Sequence, residues 1–210
     1  MKNQSKLLNL FGQIRVYSLI DLVLFSIAIK ANSFQIAGII LLHLGFLLFL
    51  EFTHKHEFRI AFPKYLWIIL LIAGLGFYQN IAVIGFLISS FFYVKKNLPK
   101  FGWSGPVFRG LQYYFLAAGI VGFFNPITFL ASGLLFIRNF AGDLRDIVKD
   151  RKEGLKTLPI IFGLKKDLKH IHLLTMLGTT IVWWYLSGIS VLGLIPIFAI
   201  QIGSYNLTHR

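Results

Sequence analysis

No cysteine occurs in the chain's 210 residues, which excludes disulfides, thiolate metal sites and cysteine nucleophiles. Acidic residues are nearly as scarce, eight Asp and Glu against 21 Lys and Arg, for a formal net charge of +13. Each acid therefore needs its own explanation. The N-terminal stretch MKNQSKLLNLFGQIR has no short apolar core followed by a small-residue cleavage site, so it does not read as a cleavable signal. Insertion into a membrane is expected to use the first spanning helix. No internal repeat or low-complexity tract stands out.

What fills the chain is apolar. Hydrophobic residues make up 56% of it, 22 of them Phe, and the mean hydropathy is +0.72, whereas an average soluble domain is roughly 45–50% apolar even with glycine counted. Eight apolar segments can be drawn, near 16–29, 34–50, 65–78, 81–94, 111–122, 126–141, 170–187 and 189–205. Several fall short of the ~20 residues that cross a ~30 Å hydrocarbon core, so their ends are expected to extend. The expected fold is all-α, a multi-pass transmembrane bundle of about eight helices forming a single domain over 1–210.

Topology follows from charge. If Gln79-Asn80 turns the chain, so that 65–94 is two helices and not one, every Lys and Arg except Lys30 falls on the side of the even-numbered loops and both termini. That asymmetry is the positive-inside rule for a cell-membrane protein with N-terminus and C-terminus in the cytoplasm. Residues 52–64, 95–110 and 142–169 then face the cytoplasm, with 98–110 read as a loop because of its Pro and Gly. A nucleic-acid binder would gather its cations in a stripe on a soluble face; here they sit between apolar runs, and no nucleic-acid partner is expected.

Charge is densest in IRNFAGDLRDIVKDRKEGLKTLPIIFG, residues 137–163. Asp143, Asp146 and Asp150 stand at i, i+3 and i+7, which on a continuous helix places them on one face. Like charges at that spacing repel unless a cation sits among them. Hard carboxylate oxygens without Cys or a neighbouring His suit Mg²⁺. Arg138, Arg145, Lys149, Arg151, Lys152 and Lys156 surround them with donors suited to phosphate oxygens. The plainer alternative is a solvated, mixed-charge helix end.

The run DIVKDRKEGLKTLPIIFG resembles the second aspartate-rich motif of the UbiA superfamily of intramembrane prenyltransferases, DxxxDRxxGxxTLPxxxG, through Asp146, Asp150, Arg151, Gly154, Thr157, Leu158, Pro159 and Gly163. The resemblance implies a UbiA-like helical bundle in the membrane lipid, in which two acidic motifs hold Mg²⁺ and a prenyl diphosphate. Transfer of the prenyl group would then go to a hydrophobic acceptor, an aromatic ring or a lipid alcohol. On that basis Asp143, Asp146, Asp150 and Glu51 are the candidate metal ligands. Asp146, Asp150, Glu51 and His54 are the candidate catalytic residues, and Lys95, Lys96, Asn139, Arg145, Arg151 and Lys156 the candidate substrate-binding ones.

The stretch SSFFYVKKNLPK resembles the family's Tyr-x-x-Lys segment, with Tyr93 and Lys96 in place and Lys95 beside them. An aromatic belt followed by positive-inside lysines reads equally well, and Arg109 has the same standing. The family's first motif, NDxxD and a third Asp, departs here: LEFTHKHEFR puts Leu50, Glu51, His54 and Phe58 at the pattern's Asn and three Asp positions. One carboxylate survives in register. His54 could move metal preference toward Zn²⁺ or Fe²⁺, or bind diphosphate as a cation.

His43, in the same apolar segment as Glu51, is costly in a membrane and reads as either functional or held by an interhelical hydrogen bond. Asp21 carries a similar cost and is expected to face the bundle beside a cation such as Arg15 or Arg109. Only two spans fit after the second motif, so by resemblance the family's last helix is absent. A catalytically impaired homologue that binds prenyl lipid or a partner protein is the alternative. A CDP-alcohol phosphatidyltransferase is disfavoured because IVKDR, residues 147–151, stands where that family needs Gly-x-x-Ala-Arg. A channel or transporter would place its polar residues at the midplane.

Overall fold

The computed structural model of the chain describes residues 10, 13–53 and 62–208. Among them are ten α-helices and no strand: α1 (Val16–Ala28), α2 (Ser33–Thr53), α3 (Leu66–Tyr78), α4 (Val83–Val94), α5 (Ser104–Val121), α6 (Pro126–Arg145), α7 (Ile147–Lys152), α8 (Leu158–Ile161), α9 (Ile171–Ser187) and α10 (Val191–Thr208). A 3₁₀ turn, Lys95–Asn97, follows α4. Each of the eight apolar segments is a helix.

Two boundaries carry information. The 65–94 stretch is broken as charge required, with Gln79 in the left-handed region at φ 50° closing α3. Residues 98–110 were expected as a loop, but α5 starts at Ser104. Gly105 and Pro106 occupy its first turn, where proline's missing N–H has no intrahelical acceptor to lose.

The helices fall into two compact units, one of residues up to Gln79 together with those from Thr180, the other Asn80–Thr179. In the first, α2 lies close against α3 through glycine: a Cβ on Gly38 would stand 2.7 Å from the Tyr78 backbone nitrogen, and one on Gly74 would stand 2.8 Å from the Leu42 side chain. Such small-residue contacts let helices approach without relying on exclusion of water. Phe25 meets Trp183 edge to face at 5.2 Å in the core of this unit. His43 is fully buried and its Nε2 lies 3.4 Å from Ser18 Oγ on α1, so the interhelical hydrogen bond is what is found. Asp21 Oδ1 accepts from Thr180 Oγ1 at 2.6 Å and Gln201 Nε2 at 2.7 Å.

The second unit is built around α4, α5 and α6. Gly85 faces the Phe115 ring, and Gly110 leaves room for the Ser132 carbonyl, 2.8 Å from where its Cβ would stand. Asn125 caps α6 by accepting from the Ile127 N–H at 2.9 Å, with Pro126 as the first helical residue. Among the described residues two helices, Ser33–Thr53 and Pro126–Arg145, are long and apolar enough to cross a membrane.

Candidate functional site

The acidic run sits at the end of α6, and its local geometry is set by helix stops. Asp143 lies in the last turn of α6. Asp146 ends that helix at φ −109°, and α7 begins at once. The single helical face expected for the three aspartates is therefore bent at Asp146. The spacing is only partly lost, since the Asp150 N–H still reaches the Asp146 carbonyl at 2.8 Å. Asp167 braces the bend by accepting from the Val148 N–H at 2.8 Å, serving an N-terminal donor of α7.

Both glycines of the motif are helix stops. Gly154 has φ +71°; its N–H bonds the Arg151 carbonyl at 3.2 Å, and the Leu155 N–H bonds Asp150 at 2.9 Å. Gly163, at φ +79°, repeats the arrangement, with its N–H on Ile160 and Leu164 N–H on Pro159, each at 3.0 Å. This paired closure needs a left-handed residue, which is why glycine stands at both positions. Between them Thr157 is extended, and Leu158 and Pro159 open α8. Arg151 Nη2 donates to the Leu164 carbonyl at 2.7 Å. Arg151, an expected substrate-binding residue, thus also links α7 to the turn after α8.

The α4–α5 connection closes over this segment. Lys156 N–H bonds the Pro99 carbonyl at 3.3 Å, and a Cβ on Gly102 would stand 2.8 Å from the Lys156 backbone. The approach brings Lys96 to the acids: its charge acts on both Asp143 and Asp150. Lys96 Nζ donates to Tyr93 Oη at 3.0 Å, and Asn139 Nδ2 donates to the same oxygen at 3.1 Å. Lys95 takes the other direction, with Nζ 4.5 Å from the centre of the exposed Phe91 ring. Of the two lysines, it is Lys96 that the fold brings to the aspartates.

The oxygens facing this group are unevenly served. Asp143 is 9% exposed, and its Oδ2 has no hydrogen-bond partner; Asn139 Oδ1, one turn earlier on α6, and Thr157 Oγ1 have none either. A Cβ on Gly105 would stand 3.1 Å from Asn139 Oδ1 and 3.2 Å from Lys96, so glycine keeps this space open. Asp146, in contrast, is gripped by Arg145, whose Nε and Nη2 lie 2.8 and 2.5 Å from its two oxygens. Burial pushes the Asp150 carboxyl up to about 6, the like charge of Asp146 adds to this, and Lys96 opposes it.

Among the described residues no three His, Asp or Glu side chains converge as a metal cage. The donor set nevertheless fits a hard cation: two buried acceptor oxygens without partners, one turn apart, beside a carboxyl whose ionised form is disfavoured. Glu51 occupies the last turn of α2, in the first unit, and His54 lies outside the described residues. Arg109 is engaged inside its own helix, Nη1 donating to Gln112 Oε1 at 2.6 Å. Lys156 is exposed.

One neighbour escaped sequence reasoning. His172, buried at the start of α9, places Nδ1 3.2 Å from Arg145 Nη1. No spacing ties two residues 27 positions apart, although a histidine opening an apolar segment invited the question. Gly102 and Gly105 were the legible signal for the close approach of the α4–α5 loop.

Residues 127–199, about a third of the chain and inclusive of all three aspartates, match the profile of a family described as VviA prenyltransferase. The match supports a prenyltransferase relationship and prenyl transfer in general terms. No curated protein and no solved structure matches the chain.

Proposed function

We propose that the chain is a membrane-embedded prenyltransferase of the UbiA type, transferring a prenyl group from an allylic prenyl diphosphate to an aromatic or lipid-alcohol acceptor. The observation that carries this reading is the pair of buried, unpartnered oxygens on Asp143 and Asn139, inside the segment that matches a prenyltransferase profile, with the Lys96 ammonium brought beside them from the α4–α5 connection. Mg²⁺, when bound, would neutralise diphosphate charge as the allylic C–O bond ionises. Asp143, Asp150 and Asn139 would hold it. Lys96, kept in place by Tyr93, would bring its positive charge to phosphate oxygens, where a low-dielectric setting strengthens the attraction.

A membrane setting is supported by the distribution of side chains. Ile69, Ile72, Ile84, Ile88, Leu192 and Ile195 are exposed on their helices, while Asp21, His43, Arg109, Gln112, Arg138 and Gln201 are buried. In water that is the costly arrangement; in lipid it is the required one. The charge asymmetry of the loops supports a topology with both termini and the site on the cytoplasmic side of the cell membrane.

The test is titration of the purified chain with a long-chain allylic diphosphate, with Mg²⁺ and with EDTA. Tight binding should require the metal, and Asp150→Asn should weaken it at least tenfold. Equal, metal-independent affinity in both proteins would reject the reading. The alternative, a homologue that binds prenyl lipid without turnover, has one observation in its favour: Arg145 already occupies the Asp146 carboxylate. Binding without product from any aromatic or lipid-alcohol acceptor would select it.

A further inference from the structure

Arg145 is held at both ends of its guanidinium. Two nitrogens pair with the two oxygens of Asp146, and the third lies 3.2 Å from His172 Nδ1. A guanidinium has only donors, so His172 accepts at Nδ1 and the neutral ring carries its proton on Nε2. The imidazole lies beside Gly142, with Cδ2 3.6 Å from where a Cβ would stand. The ion pair is sheltered, the two side chains being 20% and 34% exposed.

From this we infer that Arg145, seated by His172, is the built-in counter-ion of Asp146 and keeps that carboxylate out of the divalent-cation site. The inference rests on the metal-dependent reading above and changes which residues make the site. A fork-shaped donor pair matches a carboxylate more closely than a hydrated divalent ion does. It is also tethered to the neighbouring residue, so the pairing loses no association entropy, whereas an ion from solution must displace it. The charge count agrees. With Asp146 neutralised, Asp143 and Asp150 leave two negative charges for one divalent cation. The unpartnered oxygens agree as well, since Asp143 Oδ2 and Asn139 Oδ1 are open while both Asp146 oxygens are taken. His172 is a positioning residue, acting through Arg145.

The experiment is Mn²⁺ binding by the full chain in detergent, read from the free-ion paramagnetic resonance signal, without substrate or turnover. Asp143→Asn and Asp150→Asn should each weaken Mn²⁺ at least tenfold, and Asp146→Asn by less than threefold. Arg145→Gln should tighten Mn²⁺ severalfold and make a further Asp146→Asn change costly by at least tenfold. His172→Ala should shift behaviour toward that of Arg145→Gln, whereas His172→Gln, which keeps an acceptor for the guanidinium, should resemble the wild type. Equal losses for Asp146→Asn and Asp150→Asn would overturn the inference and leave the metal reading standing. No Mn²⁺ binding by the wild type would overturn both.

Discussion

Asp21 and Asp143 are both buried carboxylates on apolar helices, 1% and 9% exposed, and the fold serves them differently. Asp21 Oδ1 receives Thr180 and Gln201, and Gln201 also reaches the Tyr17 carbonyl at 3.3 Å, so side chains of α1, α9 and α10 are knitted together. Asp143 Oδ2 receives nothing. A buried polar group costs free energy unless it is hydrogen-bonded. The first cluster meets that cost with protein donors and reads as architecture; the second leaves it to be met by something that arrives. Burial of charge in a membrane protein is therefore a weak guide to function until its partners are counted.

Removing each carboxylate should separate the two roles. Asp21→Leu strands the Gln201 amide donor and disturbs Thr180, and should lower stability by about 2–3 kcal/mol, read as a drop in Tm in detergent. Asp143→Leu strands nothing comparable. It should leave the metal-free protein as stable as wild type, or slightly more stable, while abolishing Mg²⁺-dependent diphosphate binding. If Asp143→Leu is the more destabilising of the two, the contrast drawn here is wrong.

The helices were legible because apolar length and loop charge are properties of segments. The eight apolar helices and the break at Gln79 followed from them. The start of α5 was misjudged because Gly105 and Pro106 look like breakers in isolation, and only their place in a first turn makes them harmless. The acidic motif was found from spacing and resemblance, but its division of labour was not. That Arg145 grips Asp146, that Arg151 braces Leu164 and that His172 seats Arg145 are properties of side-chain direction after the bend at Asp146. Periodicity on a continuous helix has no means of foreseeing such a bend.

The two adjacent lysines offer a smaller version of the same comparison. Lys96→Ala removes a cation that acts on Asp143 and Asp150 and should reduce prenyl transfer by about 10²-fold, of the order seen when one preorganised electrostatic contact is lost. Lys95→Ala removes a cation lying over Phe91 and Phe92 and should change turnover less than threefold. Equal losses would mean that both lysines reach the diphosphate and that the orientation described here does not persist in the loaded protein.

The smallest expected effect is on pH dependence, and its sign is opposite to that of a salt-bridged acid. Asp150 titrates near 3.9 in an unfolded chain, and burial, with Asp146 nearby, pushes it up to about 6 in the fold. Between those values the folded state binds the proton more tightly than the unfolded state. Stability of the metal-free protein should thus be greatest at the acid end and fall as pH rises through 6. Because the group is partly solvated, the loss should be about 1 kcal/mol after discounting for screening. Mg²⁺ should act in the other direction, binding more tightly above pH 6, where the carboxylate is ionised, and restoring Tm there. Melting curves of wild type and Asp150→Asn at pH 5 and 7.5, with EDTA and with Mg²⁺, check this. The variant should flatten the metal-free trend and lose the Mg²⁺ recovery. A wild-type Tm that climbs with pH in EDTA by the same amount as the variant's would show that Asp150 is not held in its protonated form by the fold, and that its carboxyl is better solvated than its burial implies.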